Sequence, residues 1–157
     1  MNPQELVSLL EQYRAGLETE IALLHQLEDV AARQREVTES RDYDRFKAES
    51  DHRDGLTRTL VTIDQQLRVV REELASGRET LSQLPEYLVV AELRRTAAAL
   101  VARILATDRD SMKALSDADL ARKAVVASLE LGETTLAAYR RVIAPPVSSA
   151  TLLNRRG

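Results

Sequence analysis

The chain has 157 residues and a net charge of −3, which suits a single domain and argues against a general nucleic-acid binder. It contains no cysteine, so disulfides, zinc thiolate sites and cysteine nucleophiles are excluded. Aromatic residues make up only 3% of the sequence, less than a sheet protein or a nucleotide pocket normally needs.

The start of the chain lacks the basic and apolar segments of a secretion signal. The most apolar stretch, YLVVAELRRTAAALVARILA, carries Glu92, Arg94, Arg95 and Arg103, which make insertion into a bilayer costly. We therefore expect a cytoplasmic protein with no integral membrane segment.

Prolines occur only at positions 3, 85, 145 and 146, and they leave two long proline-free runs. Asn-Gly, Asp-Gly and Gly-Gly pairs, which favour hairpin turns, are absent. The placement of the prolines and the absence of these turn-forming pairs predict an all-α fold. The expected architecture is a long antiparallel helical hairpin extended to a three- or four-helix bundle or coiled coil. The predicted helices cover about 4–39, 42–83, 85–116 and 117–143, followed by a flexible, basic, proline-containing tail at 144–157.

In the first predicted helix, apolar residues follow alternating steps of four and three, a spacing that keeps one stripe facing a partner helix. Only Glu20 interrupts the series. The series consists of Leu6, Leu10, Tyr13, Leu17, Leu24, Leu27 and Ala31.

A second series of the same kind runs from Phe46 to Leu84 and includes Arg53 and Gly77. Between the two series, VTESRDYDRF has no apolar residue at the expected places. Ser40 is a plausible cap there, and we predict a tight turn near 39–42.

Pro85 suits the first position of the third helix, where a missing N–H costs nothing. The apolar spacing of this helix becomes irregular in TDRDS, and the segment SDAD follows at 116–119. Ser116 and Asp119 have the spacing of a capping box that would begin a fourth helix. The same segment also fits a stutter within one continuous helix, because no proline or glycine breaks it.

The last predicted helix has an apolar face wider than a two-helix contact needs. Surplus apolar surface often marks a partner site, and the alternative is that the helix packs into the groove between two others. A neighbouring stripe consists of Ala124, Leu131, Ala138 and Val142. The helical period selects as partner-binding residues Val125, Leu129, Leu136 and Tyr139.

The tail begins with Pro145–Pro146, which cannot continue a helix. The remaining VSSATLLNRRG carries two arginines and no acid. A docking peptide fits this composition, with Leu152 and Leu153 as the anchor and Arg155 and Arg156 steering the approach. The alternative is a frayed terminus.

Glu49 and His52 form a Glu-x-x-His, the spacing that places two di-iron ligands on one helix face. A di-iron site needs a second such pair, but the only other histidine, His25, has Ala22 three residues before it. DRDSMKALSD lacks the glycine that a calcium loop requires. No phosphate-binding loop or nucleophile motif occurs. We therefore predict no metal, no cofactor and no enzymatic activity.

The order of these segments resembles that of the FlgN-type flagellar export chaperones. ELVSLLEQYRAGLETEIALLHQLEDV is similar to the family's leucine- and glutamate-rich first helix, and SRDYDRFKAESDHRDGLTRTL to its turn and following helix. A tyrosine near the end of the last helix (LAAYRR), a proline-containing spacer and the ending LLNRRG complete the resemblance, which covers nearly the whole chain.

The resemblance implies a small cytoplasmic chaperone without ATPase activity. Its partners would be the hook-associated junction proteins of the flagellum and the flagellar export gate. In this family the C-terminal helical region, here about 118–143, binds the C-terminal segment of the substrate. Such binding would prevent premature assembly and deliver the junction protein to the export apparatus.

Two other functions fit the residues. The wide apolar face could make a homodimer in a self-associating coiled-coil structural or adaptor protein, although the breaks near 40 and 85 differ from the unbroken heptads of long filaments. A membrane-peripheral adaptor would instead place Arg140, Arg141 and the tail on anionic lipid.

Overall fold

The computed structural model describes residues 2–116 and 123–143, and for residues 123–125 it describes the backbone alone. Within these ranges every regular element is a helix and no strand occurs, which confirms the all-α prediction. The helices are α1 (Pro3–Glu39), α2 (Tyr43–Ala75), α3 (Arg78–Leu81), α4 (Pro85–Ser116) and α5 (Lys123–Val142).

α1 begins at a capping box. The Asn2 side chain accepts a hydrogen bond from the Glu5 backbone N–H at 2.9 Å, and the Glu5 carboxylate accepts one from the Asn2 backbone N–H at 3.1 Å. Pro3 occupies the first helical position, where its fixed φ suits the helix. The predicted start and end of the first helix are therefore confirmed to within one residue.

The predicted turn after α1 is confirmed, but the capping residue differs. Ser40 has right-handed helical dihedral angles and ends α1. Arg41 then adopts a φ of 59°, which reverses the chain. Asp42 caps α2, because its side chain accepts a hydrogen bond from the Arg45 backbone N–H at 3.1 Å.

The prediction of one continuous helix over 42–83 is wrong, because α2 ends at Ala75 and a separate single turn, α3, follows. The Ser76 hydroxyl donates to the carbonyl of Glu73 at 2.6 Å and so competes with the helical pattern. Gly77 lies so close to α1 that a Cβ there would be 2.6 Å from Leu6. The second apolar series continues across this break, since Leu81 is also buried.

α1 is the central helix, with α2 and α4 packed along it and α5 packed against α4 and α2. α4 begins at Pro85 as predicted. It runs in the same direction as α1, because Val90 packs near the start of α1 and Leu115 near its end. α5 runs back along α4, so α1, α2, α4 and α5 together enclose the half of the molecule that contains the α1–α2 turn.

The core follows the predicted stripe of α1, whose seven apolar members are all buried. Glu20, which interrupts that series, is buried as completely as the leucines around it. Arg53 occupies a similar place in the second series and is also buried. The breaks in the apolar pattern are therefore charged residues inside the core.

Two helical glycines provide a test of the α1–α2 packing. A Cβ at Gly16 would lie 2.4 Å from Leu67, whereas a Cβ at Gly55 would meet nothing within 4 Å. Gly55→Ala should raise the free energy of unfolding by about 0.5–1 kcal/mol through helix propensity. Gly16→Ala should lower it by about 1–3 kcal/mol through overpacking. Urea denaturation of both variants measures the difference, and equal effects would contradict the close packing at Gly16.

Candidate partner-binding face

α5 buries one face against the rest of the chain. Leu129 packs with Val37, Phe46 and Leu115 at the end of the bundle that contains the α1–α2 turn. Further along, the side chains that join the main core cluster are those of Leu136 and Tyr139 in α5 and of Ile143, the residue that follows it. This face is the one that packs into the groove between α2 and α4.

Three of the four helix residues predicted to bind a partner lie on this buried face. Leu129, Leu136 and Tyr139 are at most 4% exposed, so they are core residues and do not form a surface. The prediction of surplus apolar surface at these positions was wrong, because groove packing uses them. The side chain of Val125, and the whole of Leu152, Leu153, Arg155 and Arg156, lie outside the described residues.

The apolar residues of the neighbouring stripe remain exposed. Leu131 is 69% exposed and Val142 is 42% exposed. Steps of four, three, four and four residues connect these two side chains with exposed small residues on the same side of α5. We define the outer stripe as Ala127, Leu131, Thr134, Ala138 and Val142.

Charged residues border the outer stripe at opposite ends. Glu130 lies near its beginning and Arg141 near its end, and both are exposed. Glu133, on the other side of Glu130, is half-buried and lies 3.9 Å from Arg109 of α4. In the part of the chain that the structure describes, neither Glu130 nor Arg141 makes an ion pair.

A buried ion pair lies beneath α5. The Arg53 guanidinium donates two hydrogen bonds to the Asp108 carboxylate, at 2.6 and 2.5 Å, and the two side chains are 4% and 1% exposed. Arg53 also donates to the side-chain oxygen Oε1 of Gln34 at 3.0 Å, and the side-chain amide nitrogen of Gln34 donates to the Ser50 hydroxyl at 2.9 Å. This two-pronged, charge-assisted contact connects α1, α2 and α4.

α5 completes the cover over that pair. A Cβ at Gly132 would lie 3.6 Å from the Arg53 guanidinium, so the backbone of α5 passes directly over the charged group. Alanine would make an ordinary contact at this position, but a larger side chain would meet the guanidinium. The backbone of α5 at Gly132 thus contributes to the burial of Arg53, which is 4% exposed.

A second polar contact joins α5 to α1. The Tyr139 hydroxyl donates to the Glu20 carboxylate, and both side chains are buried. Burial raises the pKa of Glu20 to about 7; the Tyr139 hydrogen bond opposes this shift and the charge of Asp64 adds to it. Burial also raises the pKa of Tyr139, so its hydroxyl stays protonated. Asp64 itself accepts a hydrogen bond from Arg71 at 2.7 Å.

The Glu-x-x-His pair of α2 makes no metal site in the structure. Glu49 instead accepts a hydrogen bond from Arg33 of α1 at 3.0 Å. Across residues 2–116 and 123–143, no three histidine, aspartate or glutamate side chains are grouped closely enough to hold a metal ion.

Comparisons of the chain with protein families, curated proteins and solved structures give no match in any of the three. None of the helices in the described ranges has both the length and the apolar content needed to span a membrane. The interpretation of the outer stripe therefore depends on its own geometry.

The buried Glu20 predicts a pH dependence of stability. Between its ordinary pKa of 4.5 and its folded pKa of about 7, the folded chain keeps a proton that the unfolded chain releases. The free energy of unfolding should therefore fall as the pH rises through this interval, by at most about 3 kcal/mol. Urea denaturation from pH 5 to pH 8 should show this fall in the native protein. Glu20→Gln should remove most of it, and parallel curves for the two proteins would contradict the assignment.

The two faces of α5 predict losses of stability of different size for the same change from leucine to aspartate. Leu136→Asp places a charge in the core and should lower the free energy of unfolding by at least about 4 kcal/mol. Leu131→Asp, on the outer stripe, should lower it by less than about 1 kcal/mol. Thermal melts followed by circular dichroism distinguish the two variants. Similar losses of melting temperature would show that the inner and outer faces have been assigned wrongly.

Proposed function

We propose that this chain is a cytoplasmic flagellar export chaperone of the FlgN type. It binds the C-terminal region of a hook–filament junction protein, prevents premature assembly and delivers its partner to the export gate. The order of segments along the sequence supports this function. The observation that carries it is the outer stripe, an exposed apolar surface on a helix whose opposite face is fixed in the core.

The outer stripe suits an amphipathic helix as its ligand. Leu131 and Val142 supply apolar contacts about 16 Å apart along the axis of α5, a distance that about three turns of a partner helix span. The residues of the outer stripe between them, Thr134 and Ala138, are small, so that a partner helix could approach closely. A surface of this size favours reversible binding, as release at an export gate requires.

The buried residues of α5 support this surface from beneath. Leu129 and Leu136 hold the helix in the groove, while Tyr139 ties its last turns to Glu20 of α1. Their role in partner binding is to position α5 and does not require contact with the partner. A contact by Val125 stays a prediction from the helical period.

The tail has a separate part in this proposal. Leu152 and Leu153 would anchor it on the export gate, and Arg155 and Arg156 would steer the encounter through their positive charge. This role rests on the sequence, because the tail lies outside the described residues. It requires no change in the partner-binding face.

Co-expression with the junction proteins of the same organism tests the proposal. We expect a 1:1 complex in size-exclusion chromatography with light scattering, and its loss when the junction protein lacks its last forty or so residues, about the length of one long helix. Leu131→Asp should weaken the complex at least about tenfold, because it places a charge in an apolar contact.

Leu88→Asp is the matched control, since Leu88 is 67% exposed and lies in the first turns of α4. It should leave the complex unchanged. Absence of a complex with every junction protein would overturn the chaperone proposal. If Leu131→Asp and Leu88→Asp weakened the complex equally, the outer stripe would not be the binding surface for the junction protein.

A further inference from the structure

We propose that the outer stripe is also a self-association site, where the α5 helices of two copies pack antiparallel about a two-fold axis near residue 136. The second copy then covers the face that an export partner would use. The competition between the two rests on the proposed function, whereas the self-association rests on the pattern of α5 alone.

The apolar pattern of the outer stripe is nearly the same in both directions. Reversing one helix about residue 136 brings Leu131 to within one residue of the level of Val142 of the second copy. The same register brings Thr134 opposite Ala138. An isologous two-fold contact requires such self-complementarity, because each contact occurs twice: a residue of the first copy meets its counterpart in the second, and the reverse.

The sizes of these residues suit a crossed pair of helices. Two packed helices are closest at their crossing point and diverge on either side of it. Thr134 and Ala138 lie around the centre, where small side chains permit a close approach. Leu131 and Val142 lie further out, where larger side chains fill the widening gap.

The charges beside the stripe have the same symmetry. Glu130 and Arg141 are eleven residues apart, close to three helical turns, so they border the same side of the stripe. In an antiparallel pair this side faces its own counterpart, and Glu130 of each copy meets Arg141 of the other. In a parallel two-fold pair this side would instead face the opposite side of the partner's stripe, so Glu130 and Arg141 would not pair.

The proposed contact is short. From Glu130 to Val142 the helix extends about 18 Å, and a contact of this length lies below the size of a standard stable interface. The dissociation constant should accordingly be on the order of 10–100 µM. Charge pairs at such a rim mainly set orientation and register. A dimer this weak can give way to a tighter partner on the same face.

Reversing the charges one at a time provides the test. Sedimentation of the full chain over a range of concentrations should show a monomer–dimer equilibrium. Glu130→Arg and Arg141→Glu should each weaken self-association about tenfold, because each creates two like-charge contacts. The two variants mixed together should form a heterodimer of about native affinity, since every contact across it again joins opposite charges.

The mixture is the decisive arm, because a variant that had merely damaged α5 could not be rescued by mixing. Circular dichroism checks that each variant keeps its helical content. A native chain that stays monomeric throughout would overturn the inference. A dimer insensitive to both reversals would also overturn it, as would a mixture without rescue.

The outcomes for self-association and for chaperoning are separable. A monomeric chain that still forms the junction-protein complex would remove the dimer and leave the proposed function in place. A charge-dependent dimer without any junction-protein complex would do the reverse. Where both exist, added junction protein should dissociate the dimer, and a ternary complex containing two copies joined through α5 would refute the competition.

Discussion

The structure depends on keeping the Arg53–Asp108 ion pair dry. Removing two charges from water costs several kcal/mol for each ion unless geometry and hydrogen bonds compensate for it. Here the two short hydrogen bonds and the contact with Gln34 offset part of that cost, but only while α1, α2 and α4 keep their register; the buried Nε of Arg53 has no hydrogen-bond partner. The pair also requires a cover, which α5 supplies at Gly132. A shifted helix would leave a buried charge unpaired, so the pair selects one arrangement of the bundle more than it adds to stability.

This constraint gives α5 two faces with different roles. The inner face is committed to the core by Leu129, Leu136 and the Tyr139–Glu20 contact. The outer stripe is therefore presented on a helix whose position is fixed, which reduces the ordering cost of binding. A fixed amphipathic surface suits both of the occupants that we propose, a junction protein and a second copy. Self-association would cover the apolar stripe when no export partner is present.

Much of the fold could be predicted from the sequence because the positions of the prolines and the helical spacing of the apolar residues are local signals. Proline placement and the stripe of α1 identify the helices and the turn before Asp42. The break at Ser76–Gly77 was missed, since the apolar period continues through it to the buried Leu81. Three residues predicted to bind a partner, Leu129, Leu136 and Tyr139, are instead buried on the inner face of α5. Two neighbouring apolar stripes look alike in sequence, and the choice between them is made by contacts such as Tyr139–Glu20, 119 residues apart. Glu20 and Arg53 carried a usable signal, because each is a charged residue in register with an apolar series.

Native-state hydrogen exchange of α5 would test most directly whether this helix is fixed on the bundle. The measurement should be made on dilute protein, where self-association is negligible, and should compare backbone amides of α5 with those of the central helix α1. Our interpretation predicts that amides from Leu129 to Tyr139 are strongly protected, with opening free energies close to those of α1. Exchange of this segment at the rate of an unstructured peptide, while α1 stays protected, would contradict it, because the outer stripe would then have no fixed helix to carry it.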